Sequence, residues 1–231
     1  MKIGGLQPVT LLDYPQKVAA TVFTSGCNMR CAFCYNPNLV VPDLVSAGGG
    51  MPEEQVKEFF VKRKSFLDGV CITGGEPLMQ PDLKEFCGWL KDLGYAIKLD
   101  TNGLLPEQLQ GLIDNELLDY IAMDVKGPLD NYSKFAGMDV DSEKIKRSID
   151  VIQGGGVDYE FRSTIVKDLH TVEDIVTMAG AVVGAKRYFL QNFLPQDKLV
   201  GEDFDGKGFT QVELKEVLAR VREVMPVADI R

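Results

Sequence analysis

The chain is poor in histidine, in basic residues relative to acidic ones, and in long apolar segments. His170 is the only histidine among 231 residues, so few nitrogen ligands exist for a metal. Lysine and arginine number 25 against 34 acidic residues, and the net charge of −9 argues against nucleic acid or an anionic membrane as the main partner. No apolar run approaches the roughly 20 residues that span a bilayer, and the N-terminus lacks a signal-peptide core. We therefore expect a cytoplasmic protein.

The composition is that of a folded domain, with 45% hydrophobic and 26% charged residues. We expect one domain over residues 1–231, with an N-terminal extension at 1–17, a fold at 18–231 and a flexible glycine-rich loop at 46–50. Apolar runs of β type alternate with helical patterns. The predicted strands are 18–24, 69–73, 96–101, 120–125, 159–166 and 187–193, with a last one at 227–231. The predicted helices are 52–67, 81–93, 106–113, 142–153, 171–183 and 210–224, the last opened by a Thr210/Glu213 capping box.

This alternation predicts right-handed βαβ units and therefore an α/β fold with a parallel sheet. Six units are too few for a closed eight-fold barrel, so an open partial (β/α)6 TIM-like barrel competes with a doubly wound sheet. In either fold the reactive groups gather at the C-terminal ends of the strands. All six predicted strand ends carry polar groups, which indicates one site. These groups are the cysteine-rich stretch 25–37, Gly74-Gly75-Glu76-Pro77, Asp100-Thr101-Asn102-Gly103, Asp124-Val125-Lys126-Gly127, Arg162-Ser163 and Gln191-Asn192.

Three of the five cysteines, Cys27, Cys31 and Cys34, fall within eight residues. In a reducing compartment such a cluster is more typical of metal ligands or catalytic groups than of disulfides. Three thiolates can hold three irons of a [4Fe–4S] cluster and leave the fourth iron to an outside ligand. A structural zinc site would need a fourth protein ligand, and a purely structural role for the cysteines is the remaining alternative.

Candidates for a fourth protein ligand are few. Cys71 lies in the apolar run of a predicted strand, and Cys87 lies on the core face of a predicted helix, so we expect both to be small buried hydrophobes. His170 is expected to be either a surface residue or a residue at a helix start. The shortage of ligands favours the three-cysteine cluster over zinc.

The spacing C-x3-C-x-aromatic-C, with Phe33 as the aromatic residue, resembles the signature of radical S-adenosylmethionine (SAM) enzymes. Gly74-Gly75-Glu76, at the end of the second predicted strand, is similar to the GGE motif of that family. The opening stretch with Asp13-Tyr14-Pro15 further resembles the small activating enzymes of anaerobic ribonucleoside-triphosphate reductase. The resemblance implies a [4Fe–4S] cluster held by the three cysteines, with SAM bound to the fourth iron through its amino and carboxylate groups.

The resemblance also implies SAM contacts for two further segments. Phe33 would lie beside the adenine, and Asn36 would approach SAM from the same loop. The turn Gly74-Gly75-Glu76 would receive the SAM amino group, because glycine permits close backbone approach and a carboxylate offsets a cation. Taken alone, this motif could also be a strand-to-helix turn with a capping glutamate.

The remaining strand ends would meet SAM at its carboxylate and nucleoside parts. Asp100 and Asp124 could hold a monovalent cation near the SAM carboxylate, and Lys126 could pair with that carboxylate; a structural ion pair is the alternative. Arg162 could contact the SAM carboxylate or ribose, or form a plain salt bridge. The cofactor-binding residues implied at these strand ends are Asp100, Thr101, Asn102, Asp124, Lys126, Arg162 and Gln191, with Asn192 beside Gln191.

The activity that the resemblance implies is reductive cleavage of SAM to a 5′-deoxyadenosyl radical, which generates a glycyl radical on an anaerobic ribonucleotide reductase. Flavodoxin or ferredoxin would supply the electron. Tyr35 stands where histidine is common in this group, which is a departure from the pattern. The alternatives are a radical SAM reaction on a small molecule or peptide, such as that of a 7-carboxy-7-deazaguanine synthase, and a non-catalytic iron–sulfur or zinc binding module.

Overall fold

The computed structural model describes all 231 residues, Met1–Arg231, and shows an α/β fold with an open sheet of mainly parallel strands. Its strands are β1 (Ile3–Thr10), β2 (Ala19–Thr24), β3 (Gly69–Gly74), β4 (Ala96–Thr101), β5 (Tyr120–Asp124), β6 (Asp158–Ile165), β7 (Tyr188–Asn192) and β8 (Ala228–Ile230). Its helices are α1 (Pro37–Val40), α2 (Pro42–Ala47), α3 (Glu53–Arg63), α4 (Leu83–Asp92), α5 (Pro106–Asp114), α6 (Tyr132–Ala136), α7 (Ser142–Gly154), α8 (Val172–Ala181) and α9 (Gln211–Val224). Two 3-10 turns span Pro77–Met79 and Leu129–Asn131. None of the helices is long and apolar enough to cross a membrane.

The strands follow chain order in the sheet, from β1 to β8. The pairs β2/β3, β3/β4, β6/β7 and β7/β8 are parallel. A doubly wound sheet requires a reversal of strand order, and this sheet has none. The prediction of an open parallel sheet is confirmed, because the six predicted strands correspond to β2 through β7 and the predicted last strand corresponds to β8.

The N-terminal extension contains a strand that the sequence pattern does not predict. Residues 3–10 form β1, which pairs antiparallel with β2 at one end of the strand order. Its run IGGLQPVT holds two glycines and a proline, which weaken a β pattern and are tolerated best in an edge strand. Pairing with β2 therefore decides the conformation of this segment.

The glycine-rich loop predicted at 46–50 is shorter in the structure. Ser46 and Ala47 close α2, and the positive φ angles of Gly49 (70°) and Gly50 (62°) make the turn that follows. Met51 then forms an isolated β-bridge with Ile3. The prediction of a loop is wrong for the first two residues, because a proline at the first position of α2 starts a short helix there.

The chain divides into two compact units. The first comprises Met1–Asn28, Asn36–Thr101 and Glu107–Ile121. In this unit Cys71 on β3 and Cys87 on α4 are fully buried, which confirms the prediction for both. The Asp13-Tyr14-Pro15 segment is also structural, since Tyr14 packs on Ala19 and Tyr120 and the Asp13 carboxylate accepts a 2.5 Å hydrogen bond from the Thr21 hydroxyl.

The second unit comprises Met29–Tyr35, Asn102–Pro106 and Ala122–Arg231. Its helices α7, α8 and α9 each begin with a side-chain N-terminal cap. The capping box predicted at Thr210 and Glu213 is present at the start of α9, and Thr171 with Asp174 forms a second one at the start of α8. The capping boxes of α8 and α9 fix where these helices begin after β6 and β7, and β6 and β7 carry the candidate site residues Arg162 and Gln191.

Candidate active site

In the first unit the GGE turn lies directly against the residues that precede Cys27. The Gly75 N–H donates to the Thr24 carbonyl at 2.9 Å, and the Glu76 N–H donates to the Gly26 carbonyl at 2.8 Å. Gly74 has a φ of 116°, and a Cβ atom added to Gly75 would overlap the Gly26 carbonyl oxygen. Both glycines are therefore required by the close approach of the two loops. The structure thus brings the GGE motif and the start of the cysteine motif together.

Glu76 is fully buried and fixed by neutral donors. Its Oε1 accepts hydrogen bonds from the Leu78 N–H at 3.1 Å and from the Thr101 hydroxyl at 2.8 Å. The first of these caps the 3-10 turn Pro77–Met79, so the alternative reading of Glu76 as a capping residue describes a real contact. The second brings Thr101, another predicted site residue, to the same carboxylate. Contact of Glu76 with the SAM amino group stays a prediction.

Gln80 is a residue of this region that the sequence analysis missed. Its side chain, nearly buried, donates to the Ser25 carbonyl at 2.9 Å and accepts from the Lys2 N–H at 2.9 Å. Ser25 in turn donates its N–H to the Lys2 carbonyl at 2.9 Å. Gln80 thus holds the backbone two residues before Cys27. A lone glutamine in a loop gives no sequence signal for such a role.

In the second unit Cys31 and Cys34 lie near the ammonium group of Lys126. The Cys34 N–H donates to the Cys31 carbonyl at 3.0 Å, which forms a tight turn between the two thiols. Burial alone would lower the pKa of Lys126, but Asp124, Cys31 and Cys34 outweigh it and hold that pKa above its usual value. Lys126 therefore stays charged and contributes a positive field beside both cysteines.

Asp124 at the end of β5 is paired with two cations of its own unit. Its Oδ2 lies 3.0 Å from Nη2 of Arg162 on β6 and 3.7 Å from Nζ of Lys126. The structural ion pair that the sequence analysis kept as an alternative is thus present for Asp124 and Arg162. Contact of Arg162 or Lys126 with SAM stays a prediction.

His170 lies at a helix start, as one alternative of the prediction has it, because it directly precedes Thr171, the N-cap of α8; the other alternative, a surface position, is wrong, since the residue is buried. Its Nδ1 accepts from the Val166 N–H at 3.1 Å, so Nε2 carries the proton and donates to the Lys126 carbonyl at 3.0 Å. The ring stacks on Phe135 at 4.7 Å and meets the edge of Phe33 at 6.0 Å. The buried position suits a neutral imidazole with both nitrogens bonded. The His170 ring also links the Lys126 backbone to Phe33, the aromatic residue of the cysteine motif.

Tyr35, the departure from the family pattern, helps to hold the cysteine loop. Its ring stacks on Phe193 with centroids 5.5 Å apart, and its hydroxyl accepts from the Leu194 N–H at 2.9 Å. The Val200 N–H donates to the Cys34 carbonyl at 3.1 Å. The segment after β7 therefore braces the second half of the cysteine motif through Tyr35 and the Cys34 carbonyl.

The remaining predicted residues occupy varied positions. Asn36 is exposed just before α1, and its side chain does not cap that helix. The Asn102 side chain accepts from the Leu104 N–H at 3.0 Å and so shapes its own turn. Gln191 lies half-buried on β7. The Asn192 amide is occupied by the backbone of Phe209, at 2.9 and 2.8 Å, which gives it a structural role.

Comparison with known proteins decides the family. The family description "Radical SAM superfamily" matches residues 21–180, well over half of the chain. The chain belongs to the radical SAM superfamily. A protein of Methanocaldococcus jannaschii, provisionally named a glycyl-radical enzyme activating enzyme, is 36% identical over 200 residues, which cover 84% of this chain and 81% of that protein.

A second relative of the chain bears the name of a different enzyme. The 7-carboxy-7-deazaguanine synthase of Methanopyrus kandleri is 38% identical over 126 residues, which cover 47% of this chain and 49% of the synthase. Among solved structures, Streptococcus suis SuiB bound to the precursor peptide SuiA matches with a TM-score of 0.70 at 15% identity, covering 91% of this chain and 48% of that one. At this identity the SuiB match shows the fold alone.

Membership in the radical SAM superfamily implies a [4Fe–4S] cluster and SAM. The donor set of the chain fits such a cluster, since Cys27, Cys31 and Cys34 form no disulfide and thiolates are its usual ligands. No group of three or more His, Cys, Asp or Glu side chains is arranged in the structure to hold a metal ion. Ligation by these three cysteines therefore stays a prediction.

The buried histidine makes folding stability depend on pH. Burial lowers the pKa of His170 below 6.5, with the hydrogen bond to the Lys126 carbonyl and the Asp174 charge opposing and Lys134 assisting. The unfolded chain therefore takes up a proton at His170 at a higher pH than the folded protein does, and stability falls as the pH drops below 6.5. We expect urea unfolding midpoints measured between about pH 8 and pH 5 to show this fall. A His170→Phe variant, which can still stack on Phe135, should lose that part of the fall; an unchanged slope would contradict the assignment.

Proposed function

We propose that this chain is a glycyl-radical enzyme activating enzyme and that its partner is an anaerobic ribonucleotide reductase. The observation that carries the first part is the relative of M. jannaschii, which shares 36% identity over 84% of this chain and bears an activating-enzyme name. The similarity of the opening Asp13-Tyr14-Pro15 stretch to activators of that reductase supports the choice of partner. A flavodoxin or ferredoxin is the proposed electron donor.

The proposed roles of the residues are based on the contacts of the GGE turn and on the contacts around Lys126. Cys27, Cys31 and Cys34 would hold the cluster, and the Gly74–Glu76 turn would accept the SAM amino group on the buried carboxylate. When bound, cluster and SAM together supply a 5′-deoxyadenosyl radical that takes a hydrogen atom from the partner. Lys126 would attract the SAM carboxylate through its retained positive charge.

The other predicted residues would orient SAM. Phe33, braced by the edge contact with His170, would offer a ring face or edge to the adenine. Asn36 is exposed and free to approach from the same loop. Gln191 and Asn102 would contribute amide hydrogen bonds, while Thr101 would act through Glu76, whose carboxylate it already contacts.

The partner is tested by electron paramagnetic resonance. The anaerobically reconstituted, reduced protein is mixed with SAM and with the anaerobic ribonucleotide reductase of the same organism, and a glycyl radical doublet is expected on the reductase. A reductase whose radical glycine is replaced by alanine serves as the control. If the reductase stays silent while a different glycyl-radical enzyme, such as a pyruvate formate-lyase, gives the doublet, the choice of partner is wrong. Silence with every such enzyme would overturn the activating role.

A second candidate function is synthesis of 7-carboxy-7-deazaguanine. It is favoured by the 38% identity to the M. kandleri synthase, although that match spans only about half of each chain. The same reduced protein, incubated with SAM and the substrate of that synthase, is analysed for the deazaguanine product by mass spectrometry. Product formation without any glycyl radical would replace the first proposal with this one.

A further inference from the structure

We propose that this chain binds SAM without the monovalent metal cation that the family resemblance suggests, because protein cations already occupy its two candidate carboxylates. This proposal rests on SAM binding, and not on the choice of partner. The carboxylates in question are those of Asp100 and Asp124. Each carboxylate is paired with a lysine or arginine side chain of its own unit.

Asp100 is bound by a buried lysine on the same strand. Lys98 lies two residues earlier on β4, so both side chains point to the same face of the sheet. The Lys98 ammonium forms an ion pair with Asp100 Oδ1, and the lysine side chain is only 1% exposed. Its Nζ also lies 3.7 Å from Sγ of Cys71, the residue paired with it in register on β3. The ammonium therefore sits inside the fold and not at its surface.

Burial makes this ion pair hard to replace with a metal. An ammonium group taken out of water must keep an anionic partner, and removing that partner leaves a costly buried charge. If Asp100 turned to a metal cation, the buried Lys98 ammonium would lose this ion pair. The Lys98 ammonium thus performs at Asp100 the charge neutralisation that a metal cation would otherwise provide.

The Asp124 carboxylate is paired with two cationic side chains. One carboxylate faces both the Arg162 guanidinium at 3.0 Å and the Lys126 ammonium at 3.7 Å, and all three side chains are less than one-fifth exposed. The two cationic groups repel a further cation near this carboxylate and favour an anion. The carboxylate of SAM is an anion of the right kind. The donor set of the two aspartates therefore does not fit a monovalent metal.

The test compares SAM binding in different salts. The dissociation constant of SAM is measured by equilibrium dialysis on the reconstituted protein in potassium, sodium and choline chloride at equal ionic strength. We expect the three values to agree within about twofold. The thermal unfolding midpoint of the protein without SAM should likewise be the same in potassium and choline chloride. A tenfold or greater loss of affinity in choline chloride would overturn the proposal.

The Lys98→Met variant tests whether the Lys98 ammonium takes the place of a metal cation. Methionine keeps most of the volume of the lysine stem but removes the ammonium, so Asp100 becomes available to a metal. We expect SAM binding by this variant to become dependent on potassium, with affinity at least about tenfold higher in potassium than in choline chloride. Normal binding by Lys98→Met in choline chloride would show that Lys98 does not take the place of a cation.

Lys91→Met is the control for this substitution. Lys91 pairs with Asp119 at 2.9 Å at the protein surface, where both side chains are about one-third exposed. The same chemical change there should leave SAM binding insensitive to the salt. If Lys98→Met does not fold, SAM binding by the unaltered protein in the three salts still decides whether a metal cation is needed. Because no partner protein is present, these measurements stay valid even if the reductase proves to be the wrong target.

Discussion

The Cys31→Ala variant, reconstituted anaerobically with iron and sulfide, is expected to lose its four-iron cluster and with it the cleavage of SAM. Cys31 lies in the tight turn with Cys34, near the Lys126 ammonium. Loss of one of three cysteine ligands should reduce SAM cleavage by more than about 100-fold, because even residues outside the ligand shell can cost 10–100-fold in metal affinity. Cys27→Ala and Cys34→Ala should behave in the same way. Bound iron, absorbance near 400 nm and 5′-deoxyadenosine formation measure the effect.

Cys87→Ala is the control for the cysteine variants. Burial raises the pKa of the Cys87 thiol to about 12, so this group stays protonated and is no metal ligand. Removing the Cys87 thiol from the buried face of α4 loses only packing contacts, so the iron content and the SAM cleavage activity should not change. The cluster assignment fails if Cys87→Ala loses its iron while Cys31→Ala retains four irons and full cleavage.

A second large effect is expected for Gly75→Ala. The added methyl group would overlap the Gly26 carbonyl, so the backbone immediately before Cys27 would have to move. Overpacking of this kind costs about 1–3 kcal/mol of unfolding free energy. The displaced loop should also weaken SAM binding by about tenfold or more, since site residues must be held to within a fraction of an ångström. Urea unfolding and the SAM dissociation constant measure the two effects.

Gly88→Ala provides the comparison for Gly75→Ala. Gly88 lies within α4, and a Cβ added there meets nothing within 4 Å. Alanine in a helix interior is better than glycine by about 1 kcal/mol, so this variant should be slightly more stable than the natural protein. Equal stability and equal SAM affinity for the two variants would show that the GGE turn does not position the cysteine loop.

The features of the fold that follow from regular patterns could be predicted from the sequence. The strands β2 through β7 come from apolar runs, and α4 and α9 come from helical periodicity and a capping box. Strand β1 could not be predicted, because its glycines and proline are not typical of a strand and its conformation depends on pairing with β2. The short helices α1 and α2 likewise escape a periodicity search, since each has fewer than two full turns.

At the site, short motifs could be predicted, and contacts over long sequence distances could not. The nearness of Gly75 to the residues before Cys27 follows from parallel strand ends meeting at one edge of the sheet. The burial of His170 could not be predicted, because a lone histidine before a helix gives no sign that Val166 and Lys126 will bond both of its nitrogens. The Lys98 ion pair also needs the structure, since a lysine in a strand reads as a surface residue until its burial is known.

The most direct test of the central claim is the formation of 5′-deoxyadenosine. The anaerobically reconstituted protein is reduced with dithionite and given SAM in the absence of any partner, and nucleoside and methionine are quantified by chromatography. If Cys27, Cys31 and Cys34 hold a cluster that binds SAM, 5′-deoxyadenosine and methionine appear in equal amounts, and neither appears with the Cys31→Ala variant. A protein that holds its iron–sulfur cluster and is reduced, yet yields no 5′-deoxyadenosine, would contradict the claim.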